Sequence, residues 1–111
     1  MLEKTSEEFH IIIDFHGKKI RLFHHTIDHI KLSHPEISDP LTFVTEILKQ
    51  PILITEDELP NTQIYHKRAK KPLMHVAYVE VEKALVKTAH ISDRVKGGHI
   101  VWFAESKDLI L

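Results

Sequence analysis

Cysteine is absent from this 111-residue chain, which excludes disulfides, thiolate nucleophiles and cysteine-ligated zinc. Long apolar runs are also missing. The longest are only a few residues, far short of the ~20 that a membrane-spanning helix needs, so no membrane association is expected. The opening "MLEKTSEEFH" is polar and acidic rather than leader-like, which suits a cytoplasmic protein. Internal repeats, low-complexity tracts and linkers are lacking as well, and this length predicts one domain over 1–111. Nor is there an excess of positive charge. The formal net charge is −1, which on its own argues against a nucleic-acid binder.

The charge is unevenly placed. Residues 36–60 carry Glu36, Asp39, Glu46, Glu56, Asp57 and Glu58 against Lys49 alone, whereas residues 61–99 carry eight lysines and arginines against Glu80, Glu82 and Asp93. Such asymmetry gives a fold either a basic face for polyanions or two solvated faces of opposite sign. Apolar residues make up 42% and charged residues 28%, an ordinary balance for a folded domain.

Period-2 patterning opens the chain. "FHIIIDF" and "KKIRLF" flank His16-Gly17, a hairpin signal. From Phe23 the period changes, and Phe23, Ile27, Ile30 and His34 form one helical stripe that Pro35 ends. Asp39 then suits an N-cap, Pro40 the first helical position, and Leu41, Val44, Ile47 and Leu48 a buried stripe. Five β-rich segments follow, at 52–55, 62–67, 73–81, 84–91 and 99–105. Their short connections favour antiparallel neighbours. The expected fold is α+β: an N-terminal hairpin, two short helices on one sheet face, then an antiparallel four- to five-stranded meander. In strand 84–91, strict alternation puts Leu85, Ala89 and Ile91 on one side with Lys87, and Val86, Thr88 and His90 on the other. In strand 62–67, Gln63, Tyr65 and Lys67 share one side, while Ile64 and His66 share the opposite one.

Ten histidines stand out, three of them in "HTIDHIKLSHPEI" at 25–37. His25 and His29 are spaced i, i+4, so one helix can present both to a metal. Thr26 and Ile27 after His25 rule out the H-E-x-x-H pattern, and helical histidine pairs are common without metal, so no metal or cofactor is expected. His34 falls at a helix C-terminus, where unpaired carbonyls favour imidazolium, as a general acid or phosphate ligand requires. A partly buried histidine bonded to backbone fits that position equally.

Taken together, "HIKLSHPEI" (29–37), "PNTQIYHKR" (60–68), a following hairpin and "KTAHISDRVKGGHIVW" (87–102) resemble, in this order, the phage-associated branch of the barnase–EndoU–colicin–RelE-like ribonuclease superfamily. The resemblance covers roughly residues 22–104. It implies small helices followed by a four-stranded antiparallel sheet, and RNA cleavage without a metal, commonly by a toxin restrained by an antitoxin or immunity protein. By matching position it points to His29, His34, Tyr65, Lys67 and Thr88, with catalytic roles for His29, His34, Lys67 and Thr88 and a substrate contact for Tyr65; Arg68, Lys87 and His90 join the expected substrate contacts as neighbours of these positions. His90 stands where the family has tyrosine, and Ser33 where it has a basic residue.

In such a reaction the RNA 2′-hydroxyl attacks the adjacent phosphate. One group removes a proton, another supplies one, and cationic or donor groups stabilise the phosphorane. Two other readings stay open from the sequence: a non-catalytic RNA- or protein-binding module on the same fold, and a histidine-based metal-binding protein.

Overall fold

A computed structural model describes residues 8–104. Its elements are β1 (Phe9–Ile13), β2 (Lys19–Phe23), α1 (His24–Ser33), α2 (Pro40–Lys49), β3 (Leu53–Glu56), β4 (Thr62–Arg68), β5 (Met74–Glu80), β6 (Leu85–Ser92) and β7 (Ile100–Phe103). The α+β class holds. Among the described residues no helix is long and apolar enough to cross a membrane.

Local chemistry explains most boundaries. Asp14 closes the β1–β2 turn, its Oδ1 accepting the His16 and Lys18 amides at 2.9 Å each. Gly17 supplies the left-handed residue, φ 87°. Helix α1 starts straight out of β2, with no side-chain cap, and ends where the His34 amide reaches the Ile30 carbonyl just before Pro35. Helix α2 has the expected cap: Asp39 accepts from the Thr42 amide at 3.2 Å and from its hydroxyl at 2.7 Å, with Pro40 in the first turn.

The sheet is larger than the expected meander. Seven strands run in the order β1-β2-β6-β5-β4-β3-β7. Every pairing is antiparallel except β2–β6, so the sheet is mixed rather than a four- or five-stranded antiparallel meander. The parallel contact is short, Arg21 opposite Leu85. It is held by the Arg21 amide on the Ala84 carbonyl at 2.8 Å and by the Arg21 guanidinium on the Lys83 carbonyl. Strand alternation carries no information about which hairpin edge finds which partner, and the correction follows from that.

Register fixes the two faces. Tyr65, Ala77 and Ala89 are cross-strand partners and join one core with Ile30 of α1 and Val44, Ile47 and Leu48 of α2. Ile64, Tyr78 and Thr88 are the neighbouring partner set and point the other way. The β5–β6 register shifts between Tyr78 and Val79, leaving Lys87 as an extra residue. Val86 therefore turns into the core with Ala89, not outward with Thr88 and His90 as strict alternation predicts.

The loop 93–99 crosses the face away from that core. The Lys96 amide donates to Nε2 of fully buried His66 at 2.9 Å, and the Thr55 hydroxyl donates to the Lys96 carbonyl at 2.7 Å. Gly97 sits at φ 80°, and a Cβ there would lie 2.5 Å from Thr55 Oγ1 and 2.8 Å from the Glu56 carbonyl. Gly17 has the same sign of φ but open space around it. Gly97→Ala is therefore expected to cost about 2 kcal/mol or more, from left-handed strain plus the clash, against about 1 kcal/mol for Gly17→Ala. Chemical denaturation of the two variants checks this, and equal losses would contradict the seating of the loop.

Candidate functional site

Tyr78 of β5 and Thr88 and His90 of β6 lie on the face opposite the helix-packed core, whereas His75 of β5 lies on the helix side against Phe43. His90 lies between Ala89 and Ile91, both packed in that core, so its ring projects from the other side. Tyr78 is its diagonal neighbour on β5, and the two rings stack with centres 5.7 Å apart. His34 reaches the same place from the end of α1, which lies along β6. Its ring stacks on His90 at 5.5 Å. The result is a row of three rings, His34–His90–Tyr78, all half-buried.

Polar groups border the row. Glu36 Oε2 is 3.7 Å from His34 Nδ1, an ion pair whenever that ring is protonated. Thr88 is the cross-strand partner of Tyr78. Lys87, displaced by the bulge, reaches sideways so that its ammonium donates to Thr62 Oγ1 at 3.3 Å. Burial pushes the His90 pKa below the ordinary imidazole value, and the positive fields of His34 and Lys96 add to this against the opposing Ile91 carbonyl bond and Glu36. His90 is thus neutral at pH 7 and available to accept a proton. Burial, with Asp57 nearby, raises the Tyr78 pKa and keeps its hydroxyl protonated.

Of the residues singled out in the sequence, His34, Thr88 and His90 share this face, and Lys87 reaches its Thr62 end. The others do not. Tyr65 is buried on the helix side of β4, where its hydroxyl donates to Asp14 Oδ2 at 2.8 Å. Burial and that carboxylate push its pKa far up. Lys67 shares the Tyr65 face and lies beside His75, whose pKa is lowered first by burial and then by the lysine. Arg68 is exposed at the strand end. His29 is exposed on α1, and its side chain makes no hydrogen bond, ion pair or ring contact with another described residue.

Tyr78, Glu36 and Lys96 belong to the site and escaped the sequence reading. Glu36 lay inside "HPEI" and was legible as a partner for His34. Tyr78 becomes visible only once the β5–β6 register pairs it with Thr88. No three His, Asp or Glu side chains converge as a metal cage among the described residues, so the His25–His29 pair gains no such third ligand there. No protein-family model, curated protein or solved structure matches this chain.

Two outcomes follow from these environments. Tyr65→Phe leaves one bond of buried Asp14 unmade and is expected to lower stability by about 1–2 kcal/mol, measured by denaturant unfolding. A wild-type unfolding midpoint would contradict the bond. Acid acts through the buried histidines. His66, His75 and His90 all have lowered folded-state pKa values, chiefly through burial. Unfolded histidines titrate near 6.5, so below about that pH the unfolded chain binds more protons and the folded state loses stability. The melting temperature is therefore expected to fall between pH 7.5 and 5.5. His66→Gln, which keeps an acceptor for Lys96 but cannot titrate, should flatten the slope, and a slope unchanged in that variant would clear His66.

Proposed function

We propose that this chain is a small endoribonuclease that cleaves RNA by attack of the 2′-hydroxyl on the adjacent phosphate. The observation that carries the reading is the pair of stacked imidazoles, His34 and His90, on a half-exposed sheet face, with Thr88 two residues before His90 on β6 and Lys87 held at the Thr62 end of the row. Ring centres 5.5 Å apart let one phosphodiester touch both. In-line transfer needs one base and one acid, and a neutral His90 next to a His34 paired with Glu36 offers that division of labour.

His90 takes the 2′-hydroxyl proton, and His34 in its protonated form supplies one to the leaving 5′-oxygen. Lys87 and the Thr88 hydroxyl stabilise the charge that builds on the phosphate. Tyr78, a protonated phenol at the end of the half-buried row, stacks a base or donates to a phosphate oxygen. The resemblance of 29–37, 60–68 and 87–102 to the barnase–EndoU–colicin–RelE-like ribonucleases supports the same reading. It adds a role as a toxin or mobile-element nuclease held in check by an antitoxin or immunity protein. Tyr65, Lys67 and His29 are left out of this machinery, because their bonds or positions direct them elsewhere. A second reading, a docking module without catalysis, draws on Glu56, Asp57 and Glu58, an acidic turn at the Thr62 end of the row.

Purified protein incubated with mixed RNA in EDTA is expected to leave 2′,3′-cyclic phosphate ends. His90→Ala and His34→Ala, checked for folding by circular dichroism, should each lose ~10²-fold in rate. Lys87→Ala should weaken binding and make it less salt-dependent. His29→Ala and Tyr65→Phe should cleave at the wild-type rate. Salt-sensitive RNA binding without cleavage would favour the docking module, and no RNA binding at any salt would remove RNA as the partner.

A further inference from the structure

A second pair of histidines lies at the β1 edge of the sheet, away from the His34–His90 row on β6 and β5. His10 on β1 and His24 at the β2–α1 junction are diagonal neighbours across the hairpin, since His10 pairs with Leu22. Their Nε2 atoms approach to 3.2 Å and their ring centres to 4.9 Å, with the planes tilted by 36°. On the far side of His24, Glu8 Oε1 is 3.4 Å from Nδ1. The backbone fixes the same junction, the His24 amide donating to the Glu8 carbonyl at 3.1 Å.

We infer that His10 and His24 form a two-histidine site for a late first-row divalent cation of the Zn²⁺ type, with water completing the coordination. Two nitrogens each about 2.05 Å from one ion, subtending roughly 103°, stand about 3.2 Å apart and put the ring centres about 5.0 Å apart. Rings pointing head-on along an N–H···N bond of that length would put their centres about 5.5 Å apart. The observed 4.9 Å matches convergence on a common point beside the two nitrogens better than a head-on bond.

A carboxylate 3.4 Å from Nδ1 favours the tautomer with the proton on that nitrogen, which leaves Nε2 with its lone pair on the His10 side. Glu8 is then the outer partner that metal-bound histidines usually have. The His24 and Glu8 side chains are 46% and 80% exposed, so ion and water have free access. Bound there, the cation ties β1 to the first residue of α1. Acid competes for the same nitrogens, so binding weakens as pH falls.

Calorimetry and thermal melting of the full, tag-free chain with Zn²⁺, against Mg²⁺ as the hard-cation control, test this. Zn²⁺ is expected to bind and to raise the melting temperature, because it binds the folded hairpin more tightly than the histidines of the unfolded chain. Mg²⁺ should do neither. His10→Ala and His24→Ala should each lower Zn²⁺ affinity at least tenfold, and Glu8→Gln about tenfold. His16→Ala should leave the affinity unchanged. Should one variant fold poorly, the rise in the wild-type melting temperature must still appear. Wild-type affinity retained in His10→Ala, or no melting shift with Zn²⁺, would overturn the proposal.

Discussion

The one-residue shift in the β5–β6 ladder decides most of what this molecule presents to solvent. Strand side chains alternate, so a single extra residue flips everything on one side of it. At Lys87 the flip lets Val86 and Ala89 both enter the core, although they are three residues apart. Thr88 and His90 keep the shared outer face that alternation gives them, and Lys87 is displaced toward Thr62. A regular strand would bury one of these groups at the expense of another. The bulge places a cationic side chain beside polar ones without opening the core.

The outer face needs support, because an exposed sheet surface does not by itself hold rings in a fixed row. Loop 93–99 supplies part of it. His66 acts as a neutral hinge pin, with Nδ1 3.1 Å from the Ile64 carbonyl and Nε2 accepting the Lys96 amide. That arrangement requires the proton on Nδ1 and the lone pair on Nε2, which a buried imidazole of lowered pKa satisfies. Lys96 is thereby held close enough to bias His90 toward its neutral form. One buried histidine thus organises the surroundings of an exposed one.

Legibility in the sequence followed how local each determinant is. The α2 cap at Asp39, the stop at Pro35 and the hairpin turn at His16-Gly17 depend on neighbours within four residues, and all are readable from the chain. The parity of Gln63, Tyr65 and Lys67 was readable too, because β4 has no bulge. Non-local choices were not. Nothing in a strand's alternation tells that β2 runs parallel to β6, or that Tyr65 meets Asp14 fifty-one residues away. The site was half legible for the same reason. His34 and His90 carry chemistry in their own residue type, whereas Tyr78 acquires a place only through its cross-strand partner.

The crowding of imidazoles then resolves into three arrangements with different chemical consequences. His66 spends both nitrogens on backbone and has none left for a ligand. His34 and His90 stack face to face; Nδ1 of His90 lies 3.2 Å from the Ile91 carbonyl and Nδ1 of His34 lies 3.7 Å from Glu36, so a substrate would meet Nε2 of each ring. His10 and His24 bring one nitrogen each to nearly the same point. A stacked pair suits a substrate that must meet two proton-transfer groups at once, because each edge acts separately. A convergent pair suits a single small cation, because both lone pairs meet in one place. Residue type is the same in all three. The angle at which the backbone delivers each ring decides whether it is tied to backbone, stacked on a neighbour or brought nitrogen to nitrogen.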